Sequence, residues 1–187
     1  MLRHMRLLTL VLLCAAGAVL SIAARPAVTA AAAGGIDDDV NAALQKLYAR
    51  EPVAKMIGGK AKAVLVFPNI VKAGFLVGGQ YGAGALVQAG TIVGHYNSVA
   101  ASYGLQAGVQ AFGYALFLMN DQALAYLDRS DGWEIGVGPS IVIVDKGKAK
   151  ALTTTTLKDN VYAFIFNQKG LMAGLGLQGS KITKRSK

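Results

Sequence analysis

The segment KAVLVFPNIVKAGFLVGGQYGAG, residues 62–84, decides the fold of this chain. It contains two apolar runs rich in Val, Leu and Phe, and both Val and Phe favour extended backbone. Pro68 and Asn69 separate the two runs, and clustered glycines follow the second run from Gly78 onward. Because proline, asparagine and glycine are typical turn residues, the pattern predicts two β-strands with turns between and after them.

The next long apolar segment has the period of two that is typical of a strand. From residue 103 to residue 119, every odd-numbered position except Gly113 is apolar. We therefore expect the odd-numbered face to be buried throughout, and the even-numbered face to be exposed in its first half and covered in its second. A straight strand of this length would extend roughly 55 Å at ~3.3 Å per residue, so we expect a bend or bulge near Gly108 or Gly113.

Helices are predicted before the first strand. Val40, Leu44 and Leu47 recur at helical spacing after three aspartates, residues 37–39, whose carboxylates stabilise a helix N-terminus. Three adjacent carboxylates cannot all converge on one metal ion, so helix capping is the better explanation for them. A second short helix can begin at Pro52 and end at the next pair of glycines.

The remaining elements follow from the same patterns. Further strands are expected at residues 133–144, 161–166 and 171–177, and a short helix near residues 120–128. Glycines recur within the strands, which weakens each strand but permits strong coiling of the sheet. We therefore predict one α+β domain that is predominantly antiparallel β, with a coiled, small barrel-like sheet, N-terminal helices and one short helix near 120–128.

Two motifs carry a resemblance to a known family. The first is KAGFLV, residues 72–77, followed by a GG-x-x-G-x-G pattern at residues 78–84. The second is GLMAGL, residues 170–175, followed by LQGS, in which Gln178 replaces the acid that is usual in the family. Both motifs resemble those of the SYLF-domain family, which includes lipid-binding domains of yeast actin-patch proteins and many bacterial envelope proteins. The resemblance covers residues 36–184.

The resemblance implies a domain that contacts anionic membrane lipids through basic residues near its N-terminal segment. The lysines that fit this description are Lys55, Lys60, Lys62 and Lys72. Each lysine close to an anionic bilayer can contribute ~1 kcal/mol to binding. The amphipathic segment 40–57 could also insert its apolar side into the bilayer.

A second group of lysines follows the strand that is expected at residues 133–144. Lys146, Lys148 and Lys150 alternate there with small residues. This group could be a further basic patch for lipid, or a solvated hairpin loop with no binding role. For the whole domain, the alternative function is a structural or protein-interaction module of the envelope that binds no specific lipid.

The N-terminal residues predict an export signal. Basic residues at positions 3–6 precede an apolar run at 7–20 and a stretch rich in alanine. This order is typical of a secretory signal peptide, here with cleavage near residue 30 or 33 and a flexible Ala/Gly linker at 31–35. We therefore expect a periplasmic or envelope-associated protein with no transmembrane helix after cleavage. The alternative is a retained anchor, because residues 7–24 form a stretch of 18 residues, close to the ~20 that span a bilayer.

The charge of the chain favours a membrane surface as its partner. The formal net charge is +9, and cleavage after Ala30 would remove three arginines and lower the charge to +6. Cleavage would also remove Cys14, the only cysteine. A basic exported protein meets anionic phospholipid more readily than nucleic acid, so we expect anionic phospholipid and no nucleic acid as partner.

The sequence pattern favours binding over catalysis, and we expect no cofactor, no metal and no catalytic residue. His95 is the only histidine after the expected signal peptide, and a hydrogen-bonded surface role is more common for such a residue than that of a general base. The acids after residue 39 are scattered singly, which does not suit a metal site. The glycine segment 78–84 lacks the G-x-G-x-x-G order of nucleotide-binding loops, and a hairpin turn explains it better.

Overall fold

Strand β2, Thr91–Leu118, is the centre of the sheet. The computed structural model describes residues 35–129, 131–170, 177 and 179–185, with the backbone alone at residues 102–107 and 146. Three antiparallel partners of β2 are β1, Ala63–Gln88, β5, Val161–Gly170, and β6, Lys181–Lys184. Two short strands lie at the edges. They are β3, Trp133–Glu134, which pairs antiparallel with β6, and β4, Ile141–Ile143, which pairs parallel with β5.

Two helices precede the sheet, as predicted. Helix α1 spans Ile36–Arg50, and helix α2 spans Pro52–Gly58 with its proline at the first helical position. The apolar stripe of α1 is buried, which confirms the helical spacing read from the sequence. Asp37, in the first turn of α1, lies with its Oδ1 atom 2.6 Å from Nε2 of His95 on β2. The expected hydrogen-bonded role of His95 is therefore confirmed.

Two short helices follow β2 along the chain. Helix α3, Asp121–Leu127, confirms the predicted short helix, and the side chain of Asn120 caps it by accepting a hydrogen bond of 2.9 Å from the backbone N–H of Ala123. Helix α4, Lys146–Ala151, lies where the lysine pattern allowed a hairpin loop. A hairpin is wrong there because β4 and β5 are parallel, and parallel strands need a crossover connection rather than a tight turn.

Strand β1 is continuous, so the prediction of two strands and a turn within residues 62–84 is wrong. Pro68 and Asn69 form a bulge, at which the pairing of β1 with β2 shifts register. The glycines at 78–84 continue the strand and form no hairpin turn. The turn lies at Ala89 and Gly90, whose φ angles of 48° and 80° are typical of a two-residue type I′ turn.

Strand β2 bends where the sequence predicts a bend. Its register shifts against β1 beside Gly113 and against β5 between Ala111 and Gly113. A Cβ atom on Gly113 would lie 2.8 Å from the carbonyl oxygen of Pro68, so only glycine fits at this bend. The second predicted position, Gly108, has a φ of 132°. These irregularities curl the sheet into a half barrel.

The curled sheet has one apolar cluster on each face. The inner cluster includes large fully buried side chains from β1, β2 and β3, among them Phe67, Ile70, Phe112, Tyr114, Leu116 and Trp133. The outer cluster joins the sheet to the buried stripes of α1 and α2, and it includes Val40, Leu44, Leu47, Ile57, Val66, Phe117 and Phe164. The N-terminal helices therefore cover part of the outer face of the sheet.

The even-numbered face of β2 lies inside the curled sheet. The predicted burial of both faces in the second half of the strand is confirmed, but the predicted faces are wrong at residues 109 and 110. Gln110 is buried, whereas Val109 is 62% exposed. Ser98 has a partner on the inner face, since the hydroxyl of Tyr114 donates a hydrogen bond of 2.8 Å to its Oγ, whereas the buried Oε1 of Gln110 accepts no hydrogen bond from the described residues. As a consequence, some apolar residues of β2 face outward.

The C-terminal part of the chain departs from the predicted strand pattern. The strand expected at 133–144 is two short strands, β3 and β4, separated by a turn in which Gly136 and Gly138 have positive φ. The strand expected at 161–166 is confirmed as β5, and β6 was not predicted. The strand expected at 171–177 lies outside the described residues except for Leu177. The predicted class is confirmed, since the fold is α+β with one curled, mainly antiparallel sheet and N-terminal helices.

Candidate functional site

The two motifs that carry the family resemblance meet in the interior of the sheet. Gln80 lies in the glycine segment of β1, and Ser180 lies just before β6. The side-chain amide of Gln80 donates a buried hydrogen bond of 2.7 Å to Oγ of Ser180. The motif residues described here therefore stabilise the packing of distant strands.

Three of the predicted lipid-binding lysines lie near one end of β1. Lys55 is in α2, and Lys60 and Lys62 lie between α2 and β1, with all three side chains exposed. Nζ of Lys62 already forms an ion pair of 3.0 Å with Asp121. Lys72 is separate from this group, because ten residues of strand place it about 30 Å further along β1. The structure therefore does not bring the four lysines into one patch.

The apolar side of segment 40–57 is not available for insertion in this folded form. Val40, Leu47 and Ile57 are buried in the outer cluster against the sheet. Insertion of this side would require α1 and α2 to leave the sheet. The apolar residues of the sheet beneath the helices would then be exposed to water, which costs roughly 25 cal/mol per Å2 of exposed apolar surface. The expectation that this segment inserts is therefore wrong for the packed domain.

The second predicted patch lies on helix α4. Lys148 and Lys150 are exposed there, and Lys146 begins the helix. The backbone N–H of Lys148 donates to the carboxylate of Asp145, which fixes the helix start. The three lysines of this patch lie on one short helix, and lipid binding by this patch remains a prediction.

A different surface exposes the largest apolar side chains. Phe75, Leu76 and Val77 are consecutive in β1 and are 74%, 51% and 60% exposed. Their neighbour across the sheet is Val109, which faces Ala73 in the register of β1 and β2. We call these four residues, Phe75, Leu76, Val77 and Val109, the apolar ridge.

A sharp bend in β1 makes the apolar ridge protrude. The pairing with β2 shifts register between Phe75 and Val77, and Leu76 has a φ of 61°, which is rare for leucine. At the same bend a Cβ atom on Gly74 would lie 2.8 Å from the carbonyl oxygen of Val77. An exposed apolar surface at a strained bend is a common property of binding sites.

Cationic side chains lie beside the apolar ridge. In the sheet register Val71, Ala111 and Lys169 are directly opposite one another, so their side chains share one face. The adjacent row contains Lys72, which is opposite Gln110. Lys169 of β5 is therefore exposed on the face of the ridge, whereas Lys72 precedes the ridge on its own strand and is half-buried in the inner row of Gln110.

Sequence reasoning identified Lys72 but missed the apolar ridge and Lys169. The run of Phe75, Leu76 and Val77 has the composition of a buried strand, and composition alone does not show that a strand protrudes. Glycines on both sides of the run were the only local indication, because glycine allows a sharp bend. Lys169 lies far from the motif in sequence and reaches it only through the pairing of β2 with β5.

Two further properties of the described residues bear on function. Within the described ranges, no three side chains of His, Cys, Asp or Glu are grouped as they would be around a metal ion. Among the helices described above, none combines the length and the apolar character that are needed to cross a bilayer.

Comparison with known families finds a match in the C-terminal part of the chain. Residues 99–187 match the Ysc84 family, described as Las17-binding protein actin regulator. The matched region contains the second half of the resemblance, and the KAGFLV motif lies just before it on the strand that pairs with β2. None of the curated proteins matches the chain. Residues 99–187 of this chain therefore match the Ysc84 or SYLF-domain family, which is known for lipid- and actin-related binding domains.

Proposed function

We propose that this protein binds the surface of anionic phospholipid membranes without catalysis, and that the apolar ridge enters the bilayer. The observation that carries the proposal is the exposure of Phe75, Leu76 and Val77 as three consecutive large apolar side chains. Large exposed apolar patches are uncommon on soluble domains and mark interaction surfaces. The family association with lipid supports a membrane as the partner of this surface.

The size of the ridge is sufficient for reversible membrane binding. Full burial of one large apolar side chain contributes about 1.5–3 kcal/mol, so the exposed fractions of Phe75, Leu76 and Val77 together could contribute about 3–6 kcal/mol. Lys72 and Lys169 could each add ~1 kcal/mol near an anionic surface. The apolar contribution is therefore the larger one, and the electrostatic contribution should favour anionic over neutral membranes.

The proposal includes a location and a lipid class. The basic, apolar and alanine-rich order of the N-terminal residues supports export to the periplasm or the cell envelope. In a bacterial envelope the abundant anionic lipids would be phosphatidylglycerol and cardiolipin, and we take phosphatidylglycerol as the test ligand.

The apolar contribution is tested by sedimentation with phosphatidylcholine vesicles, with and without phosphatidylglycerol. We expect the wild type to sediment mainly with the anionic vesicles. The double variant Phe75→Ser/Val77→Ser should lose about 2–3 kcal/mol of binding, or roughly 30- to 150-fold, because two inserted side chains become polar. Val137 is a matched control, since it is 60% exposed like Val77 but lies away from β1 and β2. Val137→Ser should therefore bind as the wild type does.

The electrostatic contribution is tested with charge variants and salt. Lys72→Gln/Lys169→Gln should weaken binding to anionic vesicles by roughly 30-fold, at ~1 kcal/mol per lysine. Lys55→Gln/Lys60→Gln carries the same change of charge at the originally predicted group and should have the smaller effect. Salt should weaken wild-type binding, because the Debye length falls from ~10 Å at 0.1 M to ~3 Å at 1 M.

Two results would reject this function. Equal binding of the ridge variant and the wild type would show that the ridge does not insert. No binding of the wild type to either kind of vesicle would favour the alternative of a structural or protein-interaction module.

A further inference from the structure

Two bulges line up beside the bend in β2 and open the outer side of the sheet. On β1 the bulge consists of Pro68 and Asn69, and on β5 it consists of Asn167 and Gln168, at the register shift against β2. Asn167 has a φ of 54°, a left-handed conformation that asparagine tolerates better than most residues. Bulges redirect side chains and are enriched beside binding sites.

A pair of adjoining cavities lies at these bulges, between α1 and β5. We call the cavity that is lined by both bulges the outer cavity, and its volume is about 630 Å3. We call the cavity that is lined by α1, α4 and β5 the inner cavity, and its volume is about 450 Å3. Both volumes lie within the range of roughly 300–1,000 Å3 that is typical of small-molecule sites. The two cavities share part of their lining, namely Lys46, Arg50, Asn167 and Gln168. One ligand could therefore occupy both.

The ionisable residues that line the outer cavity are all basic. They are Lys46 and Arg50 from α1 and Lys169 from β5. None of the three forms an ion pair with another described residue. Lys46 and Arg50 are four residues apart on one helix face, where like charges repel each other. Their position near the C-terminus of α1 is favourable for the helix dipole, but this does not account for a third cation from another strand.

The inner cavity has a mainly apolar wall. Its lining includes Leu47 of α1, Phe164 and Phe166 of β5, and Ala149 of α4. Two acids, Glu51 and Asp145, also line the inner cavity, and neither lines the outer one. The combined site thus changes from basic to apolar along its length, which matches a ligand with an anionic head and an apolar chain.

We propose that this site binds one anionic phospholipid molecule, with its phosphate among Lys46, Arg50 and Lys169 and the first part of one acyl chain in the inner cavity. The guanidinium of Arg50 can hold two phosphate oxygens at once, and the two lysines supply further charge-assisted hydrogen bonds. This proposal rests on the proposed function for its ligand class, but its residues are separate from the apolar ridge, and only Lys169 takes part in both proposals. The ridge would anchor the domain to the surface, and the cavity would select a headgroup.

Calorimetry with short-chain lipid tests this site without a membrane. The probe is dihexanoyl phosphatidylglycerol kept below its micelle concentration, and the comparison ligands are dihexanoyl phosphatidylcholine and glycerol phosphate. We expect the anionic lipid to bind at least tenfold more tightly than either comparison ligand, since one lacks the net charge and the other lacks the chain. Glycerol phosphate that binds as tightly as the lipid would overturn the proposal in favour of a simple anion site.

Variants separate the two halves of the site. Lys46→Gln/Arg50→Gln/Lys169→Gln should weaken binding of the anionic lipid at least tenfold. Lys55→Gln/Lys60→Gln/Lys148→Gln has the same change of charge outside the cavity lining and should leave binding unchanged. Ala149→Leu should fill part of the inner cavity. It should therefore weaken binding of the anionic lipid but not binding of glycerol phosphate. All six polar substitutions lie at exposed positions, so melting temperatures should stay close to the wild-type value.

The outcomes distinguish this site from the membrane-binding function. Phe75→Ser/Val77→Ser should lose vesicle binding but retain binding of the short-chain lipid. A wild type that sediments with anionic vesicles but does not bind the short-chain lipid would overturn the cavity proposal alone. If the triple cavity variant or Ala149→Leu binds the short-chain anionic lipid with wild-type affinity, the cavity proposal is overturned as well.

Discussion

Replacement of Gly82 by alanine should destabilise the protein, whereas the same change at Gly79 should not. Both glycines belong to the same motif of β1, and neither has a positive φ angle, so alanine can adopt the backbone conformation at either position. The difference between them is space. A Cβ atom on Gly82 would lie 2.7 Å from the carbonyl oxygen of Asn69 and would overlap the Cδ1 atom of Ile70. A Cβ atom on Gly79 would meet only the carbonyl oxygen of Ala100, at an ordinary 3.6 Å.

The expected magnitudes differ in sign. Forcing an extra methyl group into a packed site costs about 1–3 kcal/mol, and Asn69 contributes a backbone atom that cannot rotate away. The lower entropy of unfolded alanine offsets about 0.4–1 kcal/mol of that cost. Gly82→Ala should therefore lose about 1–2 kcal/mol, and Gly79→Ala should gain up to about 1 kcal/mol. At about 2–4 °C per kcal/mol, the melting temperature should fall by roughly 2–8 °C in the first variant and rise by up to roughly 4 °C in the second.

Thermal unfolding by circular dichroism measures this difference, and vesicle sedimentation of the same samples shows whether lipid binding is affected. A Gly82→Ala protein that melts at or above the wild-type temperature would refute the argument from close approach. The bulkier Gly82→Val variant tests the role of the motif itself. Retention of its melting temperature with loss of lipid binding would show that the backbone amides of this segment belong to the binding site.

The remaining predictions concern the buried tyrosine and the N-terminus. Burial raises the pKa of Tyr114 well above its ordinary value near 10, more than the hydrogen bond to Ser98 lowers it. The unfolded chain therefore releases this proton at a lower pH than the folded one, so the free energy of unfolding should fall as pH rises above about 10. Tyr114→Phe should reduce this alkaline loss in urea titrations, although part of it should persist because the pKa values of Tyr48 and Tyr96 are also raised by burial. An equal alkaline loss in both proteins would contradict the role of Tyr114. Finally, mass spectrometry of protein from the envelope fraction should find a chain that begins near Ala31 or Gly34, and recovery of an intact chain from Met1 would favour a retained anchor.

Local patterns predicted the helices well because their causes are local. The buried stripe of α1 follows from residues three and four positions apart, and the start of α3 follows from the ability of Asn120 to accept a backbone hydrogen bond. The family motifs also lie in single short segments. These features depend on neighbours in the sequence, so the sequence alone was sufficient for them.

The continuity of β1 could not be read in the same way. Pro68 and Asn69 are turn formers by local propensity. However, β1 pairs with β2 both before and after them, so they form a bulge within one strand. The even-numbered face of β2 was misassigned in its first half because Gln110 is polar, although it is buried, as is Ser98 on the same face. Partners for a buried hydroxyl become visible only when the strands are assembled.

The candidate sites depend most on tertiary structure. Lys46, Arg50 and Lys169 come from α1 and β5, and only the packing of α1 against the sheet brings them to one cavity. The lysines chosen from the sequence were close to one another along the chain, but Lys62 is paired with Asp121 and Lys72 lies elsewhere. Proximity in sequence was therefore a poor guide to proximity in space.

The central position of β2 has a consequence for how the domain folds. The turn at Ala89 and Gly90 joins β1 to β2 directly, so their pairing can begin locally and extend outward from the turn. The pairing of Val99 with Lys181, by contrast, closes a loop that contains α3, α4 and three strands. Distant pairings of this kind slow folding, because chain entropy is lost before the contacts form. Until β6 pairs, the edge of β2 from Tyr96 to Val99 is open to pairing with another chain, so a chain in which β6 is not yet in place is exposed to aggregation at this edge.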